Sequence, residues 1–191
     1  MSRRTHHAGA VVTGAGSGIG RSFALELARR KGRVVCSDID EATLKETVVA
    51  IEAAGGEAVP VPCDVSSLEE VQALHDAALY WLDGAPKVVI NNAGIGAGGR
   101  VVGEAPMADW EQTLGINLWG VIHGCHVFAP TMRTAGRGGI INVASAAGFT
   151  AAPRMAAYNV SKAGVVSLSE TLAAEFDGTA VAVTVLCPTF V

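Results

Sequence analysis

Short runs rich in valine and isoleucine recur along the chain, and between them lie longer stretches whose apolar residues return every third or fourth position. Side chains alternate across a strand and repeat about every 3.6 residues around a helix, so the first pattern predicts strands and the second amphipathic helices. In the first half, strands are expected at residues 10–12, 33–37, 57–62 and 87–91, with helices over about 18–31, 41–54 and 67–83. The third helix is expected to open on a capping box of Ser66 and Glu69, each side chain accepting a backbone N–H of the other's turn. The second half continues with a long helix over 107–132, a fifth strand at 139–143, a helix over 154–176 and a sixth strand at 181–186. This alternation predicts an α/β fold, a doubly wound parallel sheet of Rossmann type with helices on both faces in three layers. Right-handed crossovers leave few other topologies, and a ligand is expected beyond the carboxyl ends of the strands, where strand order reverses.

Composition narrows the classes. Of 191 residues, 50% are hydrophobic and 17% charged, which argues against disorder. No apolar run approaches the roughly 20 residues of a membrane span. The net charge of −4 lacks the basic footprint of a nucleic-acid binder, so neither nucleic acid nor membrane is an expected partner. One domain is expected over residues 1–191, without repeat, linker or low-complexity tract. Cys36, Cys63, Cys125 and Cys187 have neither zinc-knuckle nor redox-dithiol spacing and read as reduced thiols, mostly buried. The N-terminus carries Arg3 and Arg4 but no apolar signal-peptide core, and a cytoplasmic location fits. His6 and His7 read as a lead-in, and no metal site is expected.

The candidate chemistry lies at the predicted strand ends. Thr13-Gly14-Ala15-Gly16-Ser17-Gly18-Ile19-Gly20 joins the first strand to the first helix. Glycines there permit a tight turn and close approach of a pyrophosphate, while the helix N-terminus supplies amides and partial positive charge. Counting from Gly14 puts Ile19 at the third glycine position of the general dinucleotide fingerprint, which is therefore matched only in part. Asp38 follows the second strand; a carboxylate there accepts both ribose hydroxyls and repels a 2′-phosphate, favouring NAD over NADP. Asp40 is expected to cap the following helix. Tyr158 and Lys162, four apart in Tyr158-Asn159-Val160-Ser161-Lys162, share a face if helical, and the ammonium then stabilises a phenolate acting as acid or base.

Together these residues resemble the short-chain dehydrogenase/reductase superfamily, in its short single-domain branch, over essentially the whole chain. The family's T-G-x-x-x-G-x-G turn falls on Thr13, Gly14, Gly18 and Gly20, its Asp-Val pair on Asp64-Val65 and its N-N-A-G segment on Asn91-Asn92-Ala93-Gly94. The resemblance implies Asn117, Ser145, Tyr158 and Lys162 as catalytic residues. Tyr158 would exchange the proton, Lys162 would aid it and hold the nicotinamide ribose, Ser145 would bond the reacting oxygen, and Asn117 would disturb its helix and hold a water linked to Lys162. It further implies NAD as cofactor, contacted by Gly14, Ser17, Gly18, Ile19 and Gly20, by Asp38, Ile39, Asp64 and Val65, and by Asn91, Ala93, Gly94, Tyr158, Lys162, Pro188 and Val191. The expected function is hydride transfer between NAD(H) and a secondary alcohol or ketone. An NADP-dependent carbonyl reductase and a non-catalytic dinucleotide-binding scaffold are the alternatives.

Remaining features are read more plainly. His123, Cys125 and His126 are expected to serve helix packing rather than a metal. Trp110, Leu114, Leu118, Trp119 and Ile122 form an apolar stripe expected in the core, part of it at a homodimer or homotetramer interface through helices 107–132 and 154–176. Gly96, Ala147, Phe149 and Met155 point to an apolar pocket for the small-molecule substrate. Two departures from the family stand out: Pro188-Thr189 replaces Pro-Gly, and the sequence stops at Val191, where relatives continue through a mobile substrate loop, a helix and a seventh strand. The natural polypeptide is accordingly expected to extend further.

Overall fold

A computed structural model describes residues 5–189. The valine-rich runs form β1 (Gly9–Thr13), β2 (Arg33–Asp38), β3 (Glu57–Pro62), β4 (Val88–Asn91), β5 (Gly138–Val143) and β6 (Val181–Leu186). All pair in parallel in one sheet, ordered β3-β2-β1-β4-β5-β6. The order reverses between β1 and β4, which leaves a crevice at their carboxyl ends. Between the strands run α1 (Gly18–Arg29), α2 (Glu41–Ala53), α3 (Leu68–Leu82), α4 (Met107–Leu114), α5 (Gly120–Ala135), α6 (Ala147–Thr150) and α7 (Ala156–Glu175).

Both faces of the central strands β1, β2 and β4 are covered, which is why they read as continuous apolar runs, whereas the edge strands β3 and β6 are only partly buried. On one face Val11, Val35, Val89 and Ile140 pack against Leu74 of α3, Phe128 and Met132 of α5, and Val165 of α7. On the other, Ala10, Val12, Val34 and Ile90 meet Leu27 of α1 and Leu44 and Ile51 of α2. Burying each such aliphatic side chain stabilises the fold by roughly 1.5–3 kcal/mol before chain entropy is set against it. Among the described residues no helix is long and apolar enough to cross a membrane.

Three local expectations are corrected. The capping box of Ser66 and Glu69 does not form: Ser67 is the N-cap, its Oγ accepting the Glu70 N–H at 3.3 Å, while the Glu70 carboxylate accepts the Asp64 N–H at 2.7 Å instead of that of Ser67. Ser66 instead donates its hydroxyl to Asp64 at 2.7 Å. The long helix expected over 107–132 is interrupted by a π turn at Gly115–Trp119, a widening that lets Asn117 turn its amide toward the loop after β4 instead of along its own helix. Trp119, expected in the core, is 53% exposed. Its neighbour Leu118 does pack inward, where a Cβ on Gly164 of α7 would stand 2.9 Å from Leu118 Cδ1.

Candidate functional site

At the crevice between β1 and β4 lies a cleft of about 620 Å³. Its floor is the turn from β1 into α1, with Gly14, Ser17, Gly18 and Ile19 along the cleft. Gly14 takes φ +66°, and a Cβ there would stand 2.8 Å from Ala93 Cα, so only glycine lets the turn lie this close to the β4 exit. At Gly18, also left-handed with φ +51°, a Cβ would meet nothing; that room belongs to the cleft. No side chain caps α1, which leaves its first amides available to an anion. Gly20, expected at the cofactor, does not line the cleft; a Cβ there would overlap the Gly14 carbonyl, so its role is to let helix and turn meet.

Thr13 ties the two strand ends together, its Oγ1 accepting the N–H groups of Asn92 at 3.0 Å and Ala93 at 3.1 Å. Asn92 then donates its side-chain amide to the Thr13 carbonyl at 2.9 Å. Asn91, expected at the cofactor, turns its side chain away from the cleft. Asn91 Nδ2 donates to Asn142 Oδ1 at 2.8 Å, and Asn142 Nδ2 to Ser169 Oγ at 3.0 Å, in a buried network under α5 and α7. Adjacent residues of a strand point to opposite faces, and of this asparagine pair Asn92 is the one that lines the cleft.

Along the next wall stand Asp38, Ile39, Asp64 and Val65. Asp38 Oδ2 accepts the Gly16 N–H at 2.8 Å and its Oδ1 the Asp40 N–H at 3.1 Å, which fix the carboxylate at the end of β2. Asp40 caps α2, accepting from Ala42 and Thr43. Asp64 is held by the N–H and hydroxyl of Ser66. His123 of α5 donates Nδ1–H to the Val65 carbonyl at 2.9 Å, and His126 is exposed, so the two histidines have diverging surroundings. Cys63 also lines this wall and was missed; burial pushes its thiol up to about 12, which keeps it protonated.

The opposite end holds Ala93, Gly94, Ser145, Tyr158, Lys162 and Pro188. Lys162 Nζ lies 5.7 Å from the centroid of the Tyr158 ring and donates to the Val143 carbonyl at 3.0 Å. Lys162 is 4% exposed. Burial lowers its ammonium to about 8, and neighbouring Cys187 partly offsets this. Ser145 Oγ accepts the Ala147 N–H at 3.2 Å, which starts the short α6 that periodicity had not predicted. Asn117 does not line the cleft but stands directly behind it. Its Oδ1 accepts the Ile95 N–H at 2.7 Å and its Nδ2 donates to the Ile95 carbonyl at 2.9 Å. A Cβ on Gly94 would stand 3.1 Å from Asn117 Oδ1 and 3.5 Å from Lys162 Nζ, so glycine lets both approach. Val191 lies outside the described residues. Of the expected apolar pocket, Gly96 and Met155 line a second cleft beside the first, whereas Phe149 is 67% exposed.

A glycine turn, a crevice at the strand-order reversal and carboxylates at two strand ends define a nucleotide-binding domain of Rossmann type. Residues 8–191 match the short chain dehydrogenase family. The chain is 44% identical over 178 residues to a probable oxidoreductase, EphD, of Mycobacterium tuberculosis, covering 93% of this chain and 30% of that one. A short-chain dehydrogenase/reductase from Burkholderia phymatum in complex with NAD superposes with a TM-score of 0.91 at 45% identity, over 95% of this chain and 65% of that chain. An actinorhodin polyketide ketoreductase variant with NADPH gives 0.92 at 34% identity, over 100% and 73%. The chain belongs to the short-chain dehydrogenase/reductase family, whose members are oxidoreductases, and it spans less than a third of EphD.

Proposed function

We propose that the protein interconverts a secondary alcohol and a ketone with NAD(H), Tyr158 serving as acid and base. The observation that carries this reading is that one cleft joins the glycine turn, Asp38, and the Tyr158 and Lys162 pair. The residues suit an extended dinucleotide: uncapped α1 amides for a pyrophosphate, Asp38 for the adenosine ribose, and the Val65 wall for the base. Nicotinamide, when bound, supplies or accepts the hydride. Tyr158 then gives its phenolic proton to the carbonyl oxygen, or takes the alcohol proton in the reverse direction. Lys162, buried and fastened to Val143 O, holds positive charge beside the ring as the phenolate forms. Ser145 orients the reacting oxygen. Asn117 keeps the Gly94 to Ile95 backbone in place against Lys162.

The preference for NAD follows from charge. Asp38 and Asp64 both border the adenosine end, and among the described residues no cation lines it, so a 2′-phosphate meets repulsion without compensation. The ketoreductase relative with NADPH makes NADP the second reading. Transfer of deuterium from labelled NADH and NADPH to a panel of ketones tests both. Label appearing on carbon from NADH, with NAD(H) bound about tenfold or more tightly than NADP(H), is the expected result. Tighter NADP(H) binding would overturn the cofactor assignment, and a protein that binds either without transferring label would be a sensor or scaffold.

A further inference from the structure

The second cleft, of about 250 Å³, shares Ile95 and Gly96 with the first. Trp110, Gln112 and Thr113 of α4 stand on one side, and Arg154, Met155 and Ala156, just ahead of Tyr158, on the other. Two arginines, Arg100 and Arg154, both exposed, and one acidic residue, Asp109, are among the residues that line it. Arg21, Arg29, Arg30, Arg33 and Arg133 each have a carboxylate partner elsewhere in the molecule. Arg100 and Arg154, like Arg137 elsewhere on the surface, have none among the described residues. Among the residues that line the cleft, the two arginines outnumber the one carboxylate.

The backbone beneath these cations is held in place against strain. Arg154 takes φ 63° and Ala151 φ 46°, left-handed values that a residue with a Cβ adopts only when its surroundings impose them. Asn159 braces this segment next to Ala151, donating Nδ2–H to the Ala152 carbonyl at 2.7 Å. Gly99 braces it at Arg154, its N–H donating to the Arg154 carbonyl at 2.8 Å. That bond joins the loop carrying Arg100 to the segment carrying Arg154, so the two arginines spring from backbone that is tied together. A Cβ on Gly98 would stand 3.1 Å from the same carbonyl, so the approach is close as well as bonded.

We propose, building on the reading of Tyr158 as acid and base, that the second cleft receives the far end of the substrate and that this end bears an oxyanion bound by Arg100 and Arg154. The planar guanidinium fork matches a carboxylate or phosphate. Trp110 and Met155 border the apolar stretch between that group and the reacting carbon. The substrate class is thus a secondary alcohol or ketone with an anionic tail.

The test uses oxidised cofactor, with which a ketone forms a complex that cannot turn over. NAD⁺-saturated protein is titrated calorimetrically with levulinate and longer keto acids, the matching keto-alkyl phosphates, and the methyl esters of the acids. The best acid or phosphate is expected to bind about fivefold more tightly than its neutral ester at low ionic strength, the preference shrinking as salt is added. Comparison of the two anions tells carboxylate from phosphate. Arg100→Gln and Arg154→Gln should each bring the anion toward the ester, and Asp109→Asn should move it the opposite way. Arg100 and Asp109 sit in ordinary backbone, so they keep the test decisive if Arg154→Gln disturbs its turn. The same titrations without NAD⁺ separate the two readings: failure of NAD⁺ to bind while the anion preference persists sinks the cofactor assignment alone. Equal affinity for anion and ester in both states of a folded protein overturns the anionic subsite.

Discussion

The sheet half from β1 to β3 and the half from β4 to β6 build their parts of the cleft in different ways. The first works with main chain. Gly14 and Gly18 keep the turn low, and the Asp38 carboxylate is fixed by the Gly16 and Asp40 amides. The second works with buried polar side chains. Asn117 clasps Ile95, Lys162 holds Val143, and Asn91, Asn142 and Ser169 form a satisfied network beneath them. It also tolerates irregular backbone, a π turn at Gly115–Trp119 and left-handed Ala151 and Arg154. A site made of main chain is sensitive to added volume; one made of side chains is sensitive to chemical identity. Substitutions in the two halves should therefore fail differently.

The largest effect is expected at Tyr158. Tyr158→Phe keeps the ring and removes the proton, so turnover should fall by a factor of about 10² or more while NAD(H) binding changes little. Steady-state rates at saturating cofactor check this, and near-normal turnover would name another residue as the acid. In the main-chain half, Gly14→Ala adds one methyl group against Ala93 at a left-handed position. It should cost about 2–4 kcal/mol of stability, read from the denaturation midpoint; an unchanged midpoint would show that the turn can yield.

How much of this was legible in the sequence follows the same division. The six strands and the glycine turn were readable because valine runs and glycine spacing report directly on backbone geometry. Asp38 was readable because it stands at a strand end. The N-cap fell one residue later than expected because Ser66 and Ser67 both qualify locally, and the bond of Ser66 to Asp64 leaves Ser67 to cap the helix. The direction of the Asn91 side chain was not legible because nothing local tells which of two adjacent asparagines faces the crevice; the network with Asn142 and Ser169 spans 51 and 27 residues of sequence. The π turn and the left-handed Arg154 were invisible to periodicity, since partners far along the chain impose them. Ser145 and Asn117 stood out only through family resemblance.

Two smaller effects refine the contrast. Asp38→Ala should narrow the preference for NAD(H) over NADP(H) by roughly tenfold, about 1.4 kcal/mol, with little loss of stability because the Gly16 and Asp40 amides then meet solvent or ligand. Paired titrations with the two cofactors check it, and an unmoved ratio would remove Asp38 from the ribose. The smallest concerns Lys162 in cofactor-free protein. Its ammonium titrates near 8 in the folded state, below the ordinary lysine range. Between those values the unfolded chain binds more protons than the folded one, so stability should rise with pH across that window. Lys162→Met should flatten that rise; an identical slope in both proteins would mean that the buried amine is not its source.

Single-turnover hydride transfer from NADH, at cofactor concentrations saturating each protein, compares the two halves most directly. With the best ketone of the panel, Asp38→Ala should recover a rate close to the unsubstituted protein, because its defect lies in binding alone, while Tyr158→Phe should remain slower by about 10² or more. A Tyr158→Phe rate restored by saturating NADH, or an Asp38→Ala rate that stays low, would contradict the division between a half that holds the cofactor and a half that moves the proton.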